Sequence, residues 1–442
     1  MRNAAFASWR FLCALCALCG SLVFASDSRA AEPRVLTLNQ ALEIADGRNR
    51  DIQKAKEFFN QVEGRYVEER SAALPQLTLT AAANWQEDSS QKALGGGFIP
   101  TRQDSRSAEV GLSQALFTWG KVSAAIRAAD LGFRTADQRL RIARQDARRD
   151  VAAAFYDILL AREQYAIARQ NLEQKERHLD EARRKHVAGV ATDYDVLAAS
   201  VSVENARPEV IRTENQIRLA KDRLRFFLAL DEEIEVSGSL ETSPAAAPSH
   251  AEALAVARKQ RPELEELRRR LDIAGELVTI ANAEDKPRLD LKGGYGWRQL
   301  EAGDVKGDGK AWSVGVHLSF PFFDGLKTRG KVAQATSERR SLEIEEARLA
   351  ESISLEIRDA VNNVREAGEI VTALTGTVVQ AERLLTMAEK GFELGVKIRL
   401  EVDDAELNLR QARGNLARAR RDYLVARVNL ERVMGVLGEG KV

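Results

Sequence analysis

ALEIA at 41–45, NRDI at 49–52 and PQL at 75–77 return 212 residues later as ALAVA at 253–257, RPEL at 261–264 and PRL at 287–289. A constant offset over several short matches indicates one structural unit that the chain uses twice. Each copy has the same predicted order: a helix, two strands, a very long helix, a glycine turn and a return helix. We therefore assign a first repeat to residues 31–240 and a second to residues 241–442.

The first 30 residues have the pattern of a secretory signal peptide. Arg2 and Arg10 precede an apolar run over residues 11–24, and Ser28-Arg29-Ala30 offers a small-x-small cleavage site, with Val23-Phe24-Ala25 as the alternative. The run is shorter than the ~20 residues that a membrane-spanning helix needs. Charged residues make up 30% of the chain and the formal net charge is +0, so the charge balance indicates no nucleic-acid partner.

Four segments alternate apolar and polar residues with a period of two, at about residues 76–87, 107–117, 288–298 and 311–322. The clearest of them carries Trp312, Val314, Val316, Leu318 and Phe320 on one face. Each segment has the length of about ten residues that a tilted transmembrane strand needs. A soluble antiparallel sheet with one wet face is the alternative.

Aromatic residues favour the membrane interpretation. Three lie at the predicted strand ends that face the interstrand loops, and four lie at the opposite ends: Trp85, Trp297 and Trp312, then Phe117, Trp119, Phe322 and Phe323. Two aromatic girdles that flank an apolar band are typical of a lipid-facing barrel wall. Four strands cannot close a barrel, and an open edge in hydrocarbon leaves backbone groups unpaired. The chain is therefore expected to oligomerise, with two or three copies as the alternatives.

Long helices are predicted between the strands and the glycine turns. Apolar residues over 122–147 follow a heptad spacing, and a helix that continues to residue 186 would be about 100 Å long. The second long helix is expected over about residues 326–392. Tip turns at Gly189 and Gly395 lead into the return helices, the first of which Pro208 should kink or interrupt. Residues 231–249 are expected to form a short strand and a linker beside the helices.

The order, spacing and duplication of these pieces resemble the TolC family of bacterial outer-membrane factors. The matching pieces include the helix starts, the prolines before strands one and three, Phe323-Asp324-Gly325 and the segment 430–435, LERVMG. The resemblance implies an α+β membrane protein and a homotrimer. Three chains, with four strands each, would share a twelve-stranded β-barrel in the outer membrane of a Gram-negative bacterium, continuous with a long periplasmic α-helical barrel.

The same resemblance implies a function and partners. The chain would be the outer-membrane channel, or exit duct, of a tripartite efflux pump or a type I secretion system. Substrates would come from an inner-membrane pump through a periplasmic adaptor (membrane fusion) protein. A periplasmic coiled-coil adaptor or scaffold is the main alternative, and a surface adhesin with a barrel anchor is another. The four strands and their symmetric placement argue against both alternatives.

Gating residues at the helical tips follow from the resemblance too. The family's acidic aperture ring corresponds to Glu401 and Asp404, one turn apart on one helix face. Lys397 corresponds to a basic residue that locks the closed state, and Asp195 is its expected partner on the other hairpin. Lys397 lacks the fork of the arginine that the family pattern has, and Phe392 lacks an aromatic hydroxyl, so a weaker lock is expected. Ordinary solvated tip charge is the alternative for all four charged residues.

No motif indicates an enzyme, a cofactor or a metal centre. His178 and His186 could share a helix face, but no carboxylate cluster or cysteine accompanies them in the sequence. The run Gly293-Gly294-Tyr295-Gly296 lacks a following helix, so it is not a dinucleotide-binding loop.

Overall fold

The computed structural model describes residues 34–88 and 102–438. The expected signal peptide lies outside these ranges. In chain order the elements are β1 (Arg34–Leu36), α1 (Leu38–Arg48), α2 (Arg50–Ser71), β2 (Gln76–Glu87), β3 (Arg102–Phe117), α3 (Lys121–Val187), α4 (Asp193–Leu228), β4 (Ile234–Val236), α5 (His250–Gln260), α6 (Pro262–Asn282), β5 (Arg288–Ala302), β6 (Val305–Ser319), α7 (Lys327–Glu393) and α8 (Arg399–Met434).

The elements of the two halves have nearly equal lengths. Helices α3 and α7 have 67 residues each, and α4 and α8 have 36 each. At 1.5 Å per residue, α3 and α7 are each about 100 Å long. Where the sequence predicted one helix before the strands, each half has two. The first break is at Asn49, whose buried side chain accepts hydrogen bonds from the amides of Asp51 and Ile52 and so starts α2. The second is at Pro262, the first residue of α6.

The helices form a layer that is four helices wide. Towards the tips the order is α4–α3–α8–α7, and towards the strands it is α2–α3–α6–α7. The short helices thus stack end to end beside the two long ones. Buried Ala, Val, Ile and Leu residues fill the seams of the layer, as the heptad spacing predicts.

Residues 229–249 pack across the middle of the layer. Strand β4 pairs in parallel with β1, and Leu230, Ile234 and Leu240 are buried against Phe155 and Leu159 of α3. This confirms the expected short strand and linker, and adds β1 as a partner that the sequence did not indicate. Pro208 does not interrupt α4, which is helical on both sides of it. Pro208 is exposed, so water can satisfy the carbonyl group that the proline leaves without a donor.

The four long strands form one antiparallel sheet in the order β2-β3-β5-β6. One row of residues paired in register across all four strands is Leu79–Val110–Tyr295–Trp312. These four side chains lie on the same face of the sheet and are all substantially exposed. The strands have 12 to 16 residues, more than the ~9–11 that a transmembrane strand needs.

Four strand boundaries differ from the prediction. Strand β3 begins at Arg102 rather than at about 107, β5 continues to Ala302 rather than 298, and β6 runs over Val305–Ser319 rather than 311–322. The predicted loop over 298–310 is mostly paired strand, with its turn at residues 303–304. Apolar residues are at odd positions up to Trp297 but at even positions at Leu300 and Ala302, and residues 306–310 are charged residues or glycine, so no single apolar face continues through this segment. At the other end Pro321 cannot donate a hydrogen bond to a continuing ladder.

The longer strands move two tryptophans away from the strand ends. Trp297 and Trp312 lie well inside β5 and β6, whereas Trp85 is close to the end of β2. The predicted girdle at the helical side comprises Phe117 at the end of β3 and three residues beyond the strand ends. All four of these aromatic side chains are about half exposed or more: Phe117, Trp119, Phe322 and Phe323.

Among the helices of the described ranges, none combines enough length with enough apolar character to cross a bilayer.

Candidate gating site at the helical tips

Each helical hairpin ends in the same kind of glycine turn. Gly189 has φ 74° and Gly395 has φ 70°, in the left-handed region that glycine adopts without strain. The amide of Val190 donates to the carbonyl of Lys185, and that of Val396 donates to the carbonyl of Gly391. This is the Schellman arrangement, which ends a helix at a left-handed residue and satisfies carbonyl groups of its last turn. The two predicted tip glycines therefore stand where the sequence placed them.

The carboxylates of Asp195 and Glu401 occupy equivalent positions in the two return helices. Asp195 accepts from the backbone amide and the hydroxyl of Thr192, both at 2.8 Å. Glu401 accepts from the backbone amide of Ile398 at 3.1 Å. Both acids are therefore N-terminal helix caps. The hydrogen bonds from the Thr192 amide and hydroxyl lower the pKa of Asp195 below its ordinary value.

Lys397 and Asp195, the predicted closed-state lock, contact other groups within the chain. The ammonium group of Lys397 binds Glu401 on its own hairpin, and Asp195 binds Thr192. The hydrogen bond from Lys397, followed by that from the Ile398 amide, lowers the pKa of Glu401. Asp404 lies one turn further along α8 and is exposed. The arrangement keeps one of the two predicted ring carboxylates neutralised by Lys397 and leaves the other facing solvent.

Phe392 lies between cations of the two hairpins. The ammonium nitrogen of Lys185 is 5.6 Å from the centre of its ring, and the guanidinium carbon of Arg399 is 5.9 Å from it. Such distances allow cation–π attraction. The aromatic ring thus has a role at the tip that does not need a hydroxyl group.

A polar cluster joins the two hairpins close to the tips, on the side towards the strands. His178 on α3 faces Asp403 and Glu406 on α8, with their ligand atoms within 4.8 Å of one another. The expectation that no carboxylates accompany His178 is therefore wrong, because α8 packs against α3 and supplies them from 225 or more residues away in sequence. Two cations already take these acceptors. Lys175 lies 3.0 Å from Asp403 and 2.9 Å from Glu406, and Arg399 donates to His178.

These charges compensate one another in a partly buried site. Glu406 is 7% exposed and also accepts from Nε2 of the Gln174 side chain at 2.5 Å. Burial raises the pKa of Asp403, but the hydrogen bond and charge of Lys175, together with Arg399, outweigh burial and lower it overall. A metal ion would have to displace both cations, so the cluster is better described as an internal salt bridge network.

The contact of α8 with α3 through a series of arginine side chains was not predicted from the sequence. We call this series the ladder and each contact a rung, and the cluster contains the rung nearest the tips. Arginines recur every eleven residues on α8, and each contacts α3: Arg399 with His178, Arg410 with Asn171, Arg421 with Asp157, and Arg432 with Asp146. Eleven residues make three helical turns at 3.67 residues per turn, so one face of α8 keeps meeting α3 along its length. The eleven-residue period of arginine was visible in the sequence and would have indicated this interface.

We expect Arg421→Ala to destabilise the packing of α8 on α3. The Nε and Nη2 atoms of Arg421 donate to one oxygen of Asp157 at 2.8 and 2.5 Å, and both side chains are about three-quarters buried. Loss of a charged hydrogen bond at such a site costs about 1–2 kcal/mol after allowance for solvent screening. Thermal unfolding followed by the helical circular dichroism signal would show a lower midpoint.

Arg418→Ala is the matched control, because the hydrogen bonds of Arg418 stay within α8, to Gly414 and Asn415. Its effect should remain within about 0.5 kcal/mol. Equal effects of the two substitutions would contradict the ladder.

Comparison with known proteins gives a consistent result. A family model described as outer membrane efflux protein matches residues 41–230 and 253–436. The outer membrane protein TolC of Vibrio cholerae is 26% identical over 84% of this chain and 84% of its own length. The alkaline protease secretion protein AprF of Pseudomonas aeruginosa is also 26% identical, over 84% of this chain and 78% of its own.

A solved structure gives the same picture for the fold. The Campylobacter jejuni CmeC outer membrane channel superposes with a TM-score of 0.77, over 90% of this chain and 86% of that chain, at 16% sequence identity. At this identity the superposition speaks for the fold alone.

Proposed function

Because the chain belongs to the outer membrane efflux protein family, we propose that it forms the exit duct of a tripartite efflux pump or of a type I secretion system. It is an outer-membrane channel of a Gram-negative bacterium, with a large helical part in the periplasm. The family and the structural neighbours are channels rather than enzymes. The relatives include one named for protease secretion, which supports a polypeptide as one class of cargo.

The exposed apolar face of the sheet is the observation that carries this proposal. Leu77 and Leu79 of β2 are each 73% exposed, and Val314 and Leu318 of β6 are each 69% exposed. Contiguous apolar surface of this kind is rare on proteins that face only water. It suits strands whose outer face contacts lipid. A periplasmic adaptor or scaffold would give these side chains no apolar surroundings.

The two edges of the sheet and the two sides of the helical layer support a closed ring of copies. Strands β2 and β6 are the edges of the sheet, and membrane hydrocarbon would leave their outer backbone groups unpaired. The helical layer likewise ends in α2 and α4 on one side and in α7 on the other. Large apolar side chains are exposed on these helices: Val67, Val201, Ile211, Leu219, Ile344, Leu355 and Met387.

A head-to-tail contact would cover both edges at once. If β6 and α7 of one copy pack on β2, α2 and α4 of the next, the interface is heterologous, and a closed ring removes every edge. Three copies give twelve strands and a layer of twelve helices, so the β-barrel and the α-barrel would close with the same number. We therefore propose a homotrimer, with the helical tips meeting at the periplasmic end.

The remaining parts follow from this arrangement. The two halves are proposed to be copies of one unit, each with two strands and one helical hairpin. Residues 1–30 are proposed to be a signal peptide that directs export. A periplasmic adaptor protein would engage the helical tips and connect the channel to an inner-membrane pump. Glu401 and Asp404 would line the tip aperture, with Lys397 and Asp195 holding it closed.

Single-channel recording tests this function directly. Purified protein from outer-membrane extracts would be reconstituted into a planar lipid bilayer that separates two salt solutions. We expect discrete conductance steps from assembled protein, small when the tips are closed. Protein that assembles and inserts but never conducts, even after the tip substitutions described in the Discussion, would refute the channel.

A further inference from the structure

The geometry of the His178 rung requires a neutral imidazole. Arg399 donates a hydrogen bond to Nδ1 of His178. A guanidinium group has donors only, so Nδ1 must be the unprotonated, accepting nitrogen. The proton is then on Nε2, which faces an oxygen of Glu406 at 3.4 Å. A second proton would place an N–H group against an N–H group and add a positive charge beside Arg399.

Charged groups surround His178, some on its own helix α3 and others on the neighbouring helix α8. Lys175 and Glu181 lie on α3, and Arg399, Asp403 and Glu406 lie on α8. With a neutral imidazole, Lys175 and Arg399 balance Asp403 and Glu406. Glu181 is paired with Lys185 at 2.7 Å. Protonation of His178 would therefore leave an uncompensated positive charge in a half-buried site.

The other three rungs of the ladder contain no histidine. Their acceptors are two carboxylates and one amide: Asp146, Asp157 and Asn171. The rung nearest the tip is thus the one in the ladder that contains a group with an ordinary pKa close to physiological pH. Arg399 is also the first residue of α8, two positions before Glu401.

We propose that the His178–Arg399 contact is an acid-sensitive clasp, which holds the first turn of α8 to α3 at neutral pH and releases it on acidification. Release frees the turn that carries Glu401 and Asp404. The consequence for conductance depends on the proposed channel function, but the release itself does not.

The direction of the pH dependence follows from the surroundings. Burial, and then the charge of Arg399, lowers the pKa of His178 below its ordinary value. A group whose pKa is lower in the engaged state stabilises that state fully above the ordinary pKa of about 6.5. The stabilisation is lost as the pH falls below that value towards the lowered pKa. The clasp is therefore closed at pH 7.5 and weakened at pH 5.0.

Hydrogen exchange of the whole assembled protein in detergent tests the release without any channel assay. Exchange rates of the amides in residues 399–406 would be measured between pH 7.5 and 5.0 and corrected for the intrinsic pH dependence of exchange. We expect protection in this turn to fall several-fold on acidification, while the equivalent first turn of α4, at 193–200, changes little. Unchanged protection at 399–406 would overturn the proposal.

Bilayer recordings with histidine variants test the consequence. Asparagine at 178 offers Arg399 an oxygen acceptor that does not titrate. His178→Asn should keep the low conductance of the wild type at pH 7.5 and lose the several-fold rise at pH 5.0. His186→Asn, at the exposed tip, and His317→Asn, on β6, should keep that rise. An acid response that survives in His178→Asn, or that disappears in His186→Asn, would contradict the clasp.

The two failures can be told apart. If the protein never conducts but protection at 399–406 still falls with acid in the wild type and not in His178→Asn, the clasp stands and the proposed channel function fails. If the protein conducts and opens on tip substitution but shows no pH dependence, the clasp fails and the channel stands.

Discussion

Leu79→Arg is expected to reduce the amount of assembled protein in the outer membrane at least tenfold. Leu79 lies in β2, in the row that passes through the middle of the other three strands at Val110, Tyr295 and Trp312. On the lipid side of a barrel, an arginine near the bilayer centre costs about 2–4 kcal/mol per copy. A tenfold loss is expected because every copy in the proposed ring carries the substitution, so the unfavourable energies of all copies add. Quantification of the assembled oligomer in outer-membrane fractions measures it.

Thr80→Arg, one residue along the same strand, is the matched control. Thr80 lies on the opposite face of the sheet and pairs in register with Glu109 of β3. An arginine there would face the polar interior and lie beside a carboxylate, so assembly should remain close to wild type. Equal losses for the two substitutions, or normal assembly of Leu79→Arg, would show that this face does not contact lipid.

Lys397→Ala should raise the conductance of the reconstituted channel several-fold and increase its preference for cations. The substitution removes the ammonium group that pairs with Glu401 at the tip. Glu401 and Asp404 then contribute two uncompensated carboxylates per copy around the proposed aperture. Their mutual repulsion disfavours a narrow closed ring, and their negative field attracts cations. Single-channel conductance and the reversal potential in a salt gradient measure the two effects.

Lys390→Ala, in the last turn of α7, removes an exposed lysine from the same hairpin and should leave both quantities unchanged. Addition of Glu401→Gln to Lys397→Ala should restore part of the low conductance, because it removes one of the repelling charges. If Lys397→Ala and Lys390→Ala behave alike, Lys397 is solvated tip charge without a role in gating.

The main architecture could be predicted because it depends on local periodicity. The alternation over 76–87 and 312–320 marks strands with one apolar face, and the heptad spacing after residue 120 marks a helix that must pack along its whole length. Gly189 and Gly395 were identifiable as turns because helices of this length end where a left-handed residue is available. The strand extension to Ala302 was missed because the apolar residues change from odd to even positions after Trp297, which interrupts the alternation of β5.

The contacts of the tip residues could not be predicted in this way. Lys397 and Asp195 were assigned to each other, but within the chain each binds a neighbour in its own return helix. An acid three residues after the N-cap residue can accept from the N-cap amide, and both Asp195 and Glu401 stand at this position. Whether the lock forms between copies depends on the interface, so it remains a proposal.

The cluster around His178 could not be predicted from the sequence either. Its members come from α3 and α8, far apart in the chain, and only the packing of the two hairpins brings them together. The eleven-residue spacing of arginines on α8 indicates a shared face, but it does not identify the partner helix. A histidine with no carboxylate nearby in sequence can therefore be surrounded by them in the fold.

The native mass of the protein extracted from the outer membrane tests the account most directly. Native mass spectrometry after gentle detergent extraction would count the copies in the assembly. A trimer in the outer-membrane fraction is the predicted result, since three copies close the strand and helix layers together. A monomer in the soluble periplasmic fraction would contradict the membrane sheet, the closed ring and the channel together.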